Sequence, residues 1–182
     1  MNRTIKVMEE KHLLPTLELV QTVFTESEGP EEGALVRRLV EEIRSKRFYV
    51  PELEIVAVDE QDAPIGYCAF SRFHLEGKYE NELLLLSPVA VKTEYQRQHI
   101  SKEMIEFGFE KAAALGYQAV IVEGNPQNYR SRGFATSASC GITAHPSVGL
   151  PAPERLMVRP LVPGGLEGIH GQVCYSDYEC LR

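Results

Sequence analysis

The chain has 182 residues, the length of one domain, and its 43% hydrophobic and 25% charged residues are ordinary for a soluble globular protein. A formal net charge of −7 argues against nucleic acid or an anionic membrane surface as partner. The cysteines Cys68, Cys140, Cys174 and Cys180 form no CxxC pair and the histidines show no ligand spacing, so no disulfide framework and no metal site is expected.

Residues 1–10 are polar and lack the apolar core of a signal peptide, and no apolar run nears the ~20 residues of a membrane span, so the expected location is the cytoplasm. Residues 4–8 alternate weakly, as a short edge strand does. Leu14, Leu17, Val20 and Phe24 recur at helical spacing over residues 11–24, with Pro15 in the first turn, where a missing N–H costs least. Residues 27–30 break the pattern. Leu35, Leu39 and Ile43 then stripe a second helix over residues 31–46. Residues 53–58 and 65–73 read as strands joined by a turn at 61–64, an antiparallel hairpin.

A polar connection at 76–80 leads to residues 82–91, an apolar run without alternation and therefore a strand covered on both faces. Pro88 cannot donate to a ladder, so the strand should bulge or lose its partner there. Residues 99–115 form the strongest helical pattern, ended by Gly116. Residues 117–122 are again a fully apolar strand, so strand, helix and strand make a βαβ unit with parallel strands. Residues 127–132 read as a short helix or turn closed by Gly133. Beyond residue 136, only 154–158 and 172–175 look like strands. Apolar residues 156–158 leave two options, an edge for a homodimer or internal packing.

The chemistry is expected between Leu86 and Phe134. The first-turn N–H groups of a helix have no intrahelical partner, and with the helix dipole they attract a phosphate. A strand interrupted at Pro88 offers unpaired backbone groups to an extended, amide-containing ligand. One end for phosphate and one edge for amides suit the diphosphate and pantetheine arm of coenzyme A. No GxGxxG or GxxxxGK[ST] motif supports a nucleotide-binding alternative.

The same stretch resembles the GNAT superfamily of N-acetyltransferases. The residues that carry the resemblance are Ser87-Pro88-Val89-Ala90-Val91, Tyr95-Gln96-Arg97-Gln98-His99-Ile100-Ser101, Leu115-Gly116-Tyr117, Gly124-Asn125-Pro126 and Tyr129-Arg130-Ser131-Arg132-Gly133-Phe134. The tail, through Arg155 to Pro163 with Gly164, Gly168 and Gly171, is similar to a bacterial subgroup of these enzymes. The resemblance implies an α/β (α+β) fold with a central mixed, largely antiparallel sheet, a parallel βαβ unit, a V-shaped splay and flanking helices. It implies a single acetyltransferase domain over residues 1–182, with 136–182 packed on it as a C-terminal extension.

It further implies transfer of an acetyl group from acetyl-CoA to a primary amine by direct attack, with no metal. Val89, Ala90 and Val91 would bind pantetheine and the thioester carbonyl. Gln96, Arg97, Gln98, His99, Ile100, Ser101 and Lys102, with Asn125, would hold the rest of the cofactor, and the Tyr129 hydroxyl would serve as the catalytic acid. His99 and Ser101 stand where the family has small residues, glycine at the first. The His99 ring can point outward from an already helical backbone and face the diphosphate, or it can crowd the site. Glu82 and Glu123 are both open as the proton acceptor. The alternative is a catalytically weak or inactive acyl-CoA-binding or regulatory module on the same fold.

Overall fold

The computed structural model describes residues 2–181. Strand β1, Thr4–Val7, leads through a 3-10 turn at Glu10–His12 into helix α1, Leu13–Glu28. Gly29 alone separates α1 from α2, Pro30–Ser45, whose first residue is a proline in the position that tolerates it best. Strands β2, Glu54–Val58, and β3, Pro64–Leu75, form the expected hairpin. Strand β4 is Lys78–Val91, α3 is Ile100–Ala114 and β5 is Ala119–Glu123. A short helix α4, Pro126–Tyr129, precedes β6, Ala135–Thr136, β7, Ile142–Ala144, β8, Leu156–Pro160, and β9, Gly171–Val173. Seven strands form one mixed sheet in the order β1-β2-β3-β4-β5-β8-β6, and β7 pairs with β9. The fold class is the expected mixed α/β one with flanking helices.

Several boundaries differ from the sequence reading, each for a local reason. β4 begins at Lys78 because Glu76 and Gly77, with φ of 53° and 83°, make a two-residue turn that joins it tightly to β3. A glutamate there carries no turn signal. The end of β4 at Val91 is the expected one, its pairing with β5 runs over Leu83 to Leu85 ahead of Pro88, and the Ser87–Pro88 peptide is cis. From residue 135 onward the short strands β6 and β7 carry too few residues for a pattern to appear.

The chain divides into two compact units, Met1–Ser71 with Ser87–Lys111, and Arg72–Leu86 with Ala112–Arg182. In the first unit, alternate residues of β3 serve opposite faces. Tyr67 and Ala69 pack with Val20, Val23, Val36 and Val40 of α1 and α2. On the other face, Gly108 of α3 receives the ring of Phe70, where an added Cβ would lie 2.2 Å from Phe70 Cε2. That contact is closer than any side-chain carbon can make, so only glycine fits. Phe109 closes on Phe70 edge to face, with centroids 5.9 Å apart.

A buried carboxylate, Glu54, ties the same unit together. Arg44 Nε donates to it at 2.7 Å, and the hydroxyls of Tyr49 and Tyr67 donate to its two oxygens. Burial, with Glu54 beside it, keeps the Tyr67 phenol protonated and able to donate.

In the second unit, β4 and β5 run parallel with Leu83 opposite Ala119 and Leu85 opposite Ile121. This is the parallel pair expected of the βαβ segment. β8 pairs antiparallel with both β5 and β6, and Leu156, Met157 and Val158 are at most 1% exposed. These residues therefore pack internally, and the dimer edge considered for them does not exist. The core here gathers Phe73, Leu83, Leu85, Ile121, Leu156 and Val158.

Candidate active site

The expected site residues fall in both units. In the first, Val89 is half-buried at the end of β4, while Ala90 and Val91 are buried. The Gln96 side chain folds back and donates to the Val91 carbonyl at 3.1 Å. A 3-10 turn at Thr93–Tyr95 reverses the chain toward α3.

Arg97 and His99 both take left-handed backbone, with φ of 61° and 63°. This conformation costs a residue with a Cβ about 1–2 kcal/mol. His99 therefore has the backbone that glycine would supply at its position, and it is not already helical. The helix begins one residue later than its pattern suggested, with the His99 carbonyl accepting the Glu103 N–H at 3.0 Å. His99 is thus the N-cap of α3. Its ring is exposed, as are Arg97 and Gln98. The mouth of the helix is not plugged by the imidazole.

Ile100 is buried against β3, near the position of Gly66. Ser101 is half-buried. The Lys102 ammonium runs along the helix to Glu106 at 3.9 Å. Arg3, just before β1, reaches this turn and donates to the Gln98 carbonyl at 2.8 Å and to both carboxylate oxygens of Glu103. Sequence reasoning gave no sign of that contact, because its partners stand 95 and 100 residues apart in the chain.

In the second unit, Asn125 caps α4 by accepting the Gln127 N–H at 3.0 Å. Tyr129 is half-buried at the end of that helix. Its ring lies edge to face on Phe134, with centroids 5.7 Å apart, and the Arg132 guanidinium sits 6.0 Å above it. Gly124 lets the ring approach, since an added Cβ would fall 2.6 Å from Tyr129 Cε2. The neighbouring residue, Glu123, accepts a hydrogen bond from the Tyr175 hydroxyl at 2.8 Å. Burial raises the pKa of Tyr175, with Glu123 adding to the effect, so its hydroxyl stays protonated. Tyr175 in turn stacks on Phe73 at 6.0 Å. Sequence reasoning named Glu123 but not Tyr175. The Glu82 backbone carbonyl accepts the Gln118 N–H at 2.8 Å.

Two other features of the first unit bear on what could bind. A hollow of about 400 Å³ lies beside the β4–α3 turn, with Leu19, Val23 and Pro64 on its apolar wall and Glu18, Glu26 and Glu94 on its rim. Three carboxylates make it a poor seat for a polyanionic cofactor. Glu9, His12 and Asp62 bring ligand atoms within 4.8 Å of one another. Lys6 already bridges both carboxylates, Lys11 sits on Asp62, and His12 Nδ1 accepts the Glu9 N–H, so these cations and bonds fill the cluster. Among the described residues, no helix is long and apolar enough to cross a membrane.

These features invite comparison with known proteins. A sequence model of the acetyltransferase (GNAT) family matches residues 15–141. The chain is 28% identical over 161 residues to the uncharacterized N-acetyltransferase YhbS of Escherichia coli K12, across 83% of this chain and 92% of that protein. It is 31% identical over 124 residues to the uncharacterized N-acetyltransferase YjhQ of the same strain, across 68% of this chain and 62% of that one. The fold is similar to the crystal structure of Escherichia coli YhbS in complex with CoA, with a TM-score of 0.81 at 24% identity over 94% of this chain and 88% of that one. It is also similar to a GNAT family acetyltransferase from Brucella melitensis in complex with acetyl-CoA, with a TM-score of 0.72 at 19% identity over 100% of this chain and 99% of that one. The helix that opens on a left-handed cap and the Tyr129 segment thus sit in a chain that belongs to the acetyltransferase (GNAT) family.

Proposed function

We propose that the chain is an N-acetyltransferase that moves the acetyl group of acetyl-CoA onto a primary amine by direct attack in a ternary complex. The observation that carries the reading is the left-handed backbone at His99, with its ring exposed. The position where the family uses glycine keeps glycine's geometry despite the substitution. The turn over Arg97, Gln98, His99, Ile100, Ser101 and Lys102 can then offer backbone N–H groups and the helix dipole to a diphosphate.

Acetyl-CoA supplies an acyl group activated as a thioester. Backbone groups of Val89, Ala90 and Val91 hold its pantetheine arm and polarise the acyl carbonyl, and Gln96 braces the strand end through Val91. Asn125 shapes the α4 entry by capping it. An alkylammonium has a pKa of ~10.4, so the acceptor must lose a proton before it attacks. Glu123 is the group we assign to take that proton, because the Tyr175 hydrogen bond fixes its carboxylate next to the Gly124–Tyr129 contact. The Tyr129 hydroxyl protonates the departing sulfur.

The test is thiol release from acetyl-CoA with a panel of amines. Tyr129→Phe should lower kcat by about 10²-fold while leaving CoA affinity by calorimetry unchanged. Millimolar acetyl-CoA should also raise the melting temperature, because a ligand of the native state stabilises it. No thermal shift would sink the reading. Binding without release across the whole panel would replace the enzyme with an acyl-CoA sensor.

A further inference from the structure

The turn before α3 contains two strained residues, Arg97 and His99, on either side of Gln98. Strained backbone of this kind persists only where the surroundings hold it. Arg3 reaches it from outside the turn. Its Nη2 donates to the Gln98 carbonyl at 2.8 Å, and its Nε and Nη2 grip Glu103 as a fork at 3.0 and 2.7 Å. Glu103 belongs to the first turn of α3, and its own N–H is bonded to the His99 carbonyl. One guanidinium therefore clamps the peptide that enters the helix and the helix's first turn together. The Arg3 side chain is 20% exposed and that of Glu103 42%, so the strength of these bonds comes from the charge and the fork geometry rather than from burial.

The clamp has a geometric consequence. A trans peptide is planar, with its C=O and N–H pointing in opposite directions. Anchoring the Gln98 carbonyl on Arg3 therefore aims the His99 N–H away from Arg3. We propose that Arg3 is the positioning residue of the diphosphate-binding turn: by holding the Gln98–His99 peptide it presents the His99 N–H to the diphosphate of the thioester carrier. This rests on the acetyl-CoA reading above. Arg3 acts through the peptide and touches no reacting atom. A lysine cannot replace it, because a point charge can satisfy Glu103 but cannot also keep the fork and the carbonyl bond.

The experiment compares two carriers, acetyl-CoA and S-acetylpantetheine, which lacks the diphosphate, in the wild type, Arg3→Lys and Arg3→Ala. In both variants the CoA dissociation constant by calorimetry and the KM for acetyl-CoA should rise about tenfold, the loss expected for a charge-assisted bond. The kcat at saturating acetyl-CoA and the kcat/KM for S-acetylpantetheine should stay at the wild-type values. A general loss of structure would lower both carriers alike, and that result overturns the proposal. Unchanged CoA affinity in Arg3→Lys and Arg3→Ala overturns it as well, while leaving the acetyltransferase reading intact. A wild-type chain that binds no CoA sinks the functional reading itself and this inference with it.

Discussion

His99 shows how a residue with a full side chain can take a backbone conformation that favours glycine. Its left-handed φ of 63° is the conformation a glycine would adopt freely, and its imidazole points into solvent. The cost is backbone strain of about 1–2 kcal/mol. His99→Gly removes that strain and adds freedom to the unfolded chain at a smaller cost of about 0.4–1 kcal/mol, so the net change is stabilising. His99→Ala keeps the strain and gains nothing. We expect His99→Ala to be less stable than His99→Gly by about 1 kcal/mol in urea unfolding. Equal stabilities would mean that the cap is not left-handed in solution. Gly124 makes the complementary point, because the ring of Tyr129 occupies the space of a missing Cβ.

The elements around the site are placed by a few close contacts. α3 lies against β3 because Gly108 accepts the Phe70 ring and Phe109 closes over it. Gly108→Ala tests which of two opposed effects is larger. Alanine favours a helix interior over glycine by about 1 kcal/mol. Its Cβ would start 2.2 Å from Phe70 Cε2, and Phe70 is 1% exposed with no room to retreat. Overpacking of this kind costs about 1–3 kcal/mol, so the net effect should be destabilising. We expect the melting temperature to fall by about 2–4 °C, and a rise would show that the ring can move aside. The βαβ segment and the existence of the two N-terminal helices were legible in the sequence, because hydrophobic period acts over a few residues, but residues 27–30 read as a break where α1 runs to Glu28 and Pro30 opens α2. The β3–β4 turn was not legible, since Glu76 takes a positive φ without glycine's signal.

For the chain as a whole, ion pairs make stability depend on pH. The Glu103 carboxyl is held below its ordinary value chiefly by the Arg3 hydrogen bond. Asp62 is lowered by Lys11 and then Lys6, and Glu9 by Lys6. A carboxyl with a depressed folded pKa binds fewer protons in the native chain than in the unfolded one. Its contribution is therefore full above the ordinary carboxylate value of about 4 and is lost as pH falls through the lowered folded value. Urea unfolding should give a flat stability between about pH 5 and 7 and a steep decline below about 4. Lys11→Ala should soften the acid decline, and an unchanged profile would show that these pairs do not couple to folding.

The amino-acid sequence by itself determined the order of elements from β1 to α4, the parallel strands around α3, and the family motif from Val89 to Phe134. Those features follow from patterns confined to neighbouring residues. Only the tertiary structure decided that His99 is left-handed rather than helical, that Arg3 holds the Gln98 carbonyl, and that Tyr175 holds Glu123. The physical reason is distance along the chain. A hydrogen bond between residues 95 or 52 positions apart exists only after the backbone has folded to bring them together, and nothing in the local composition records it.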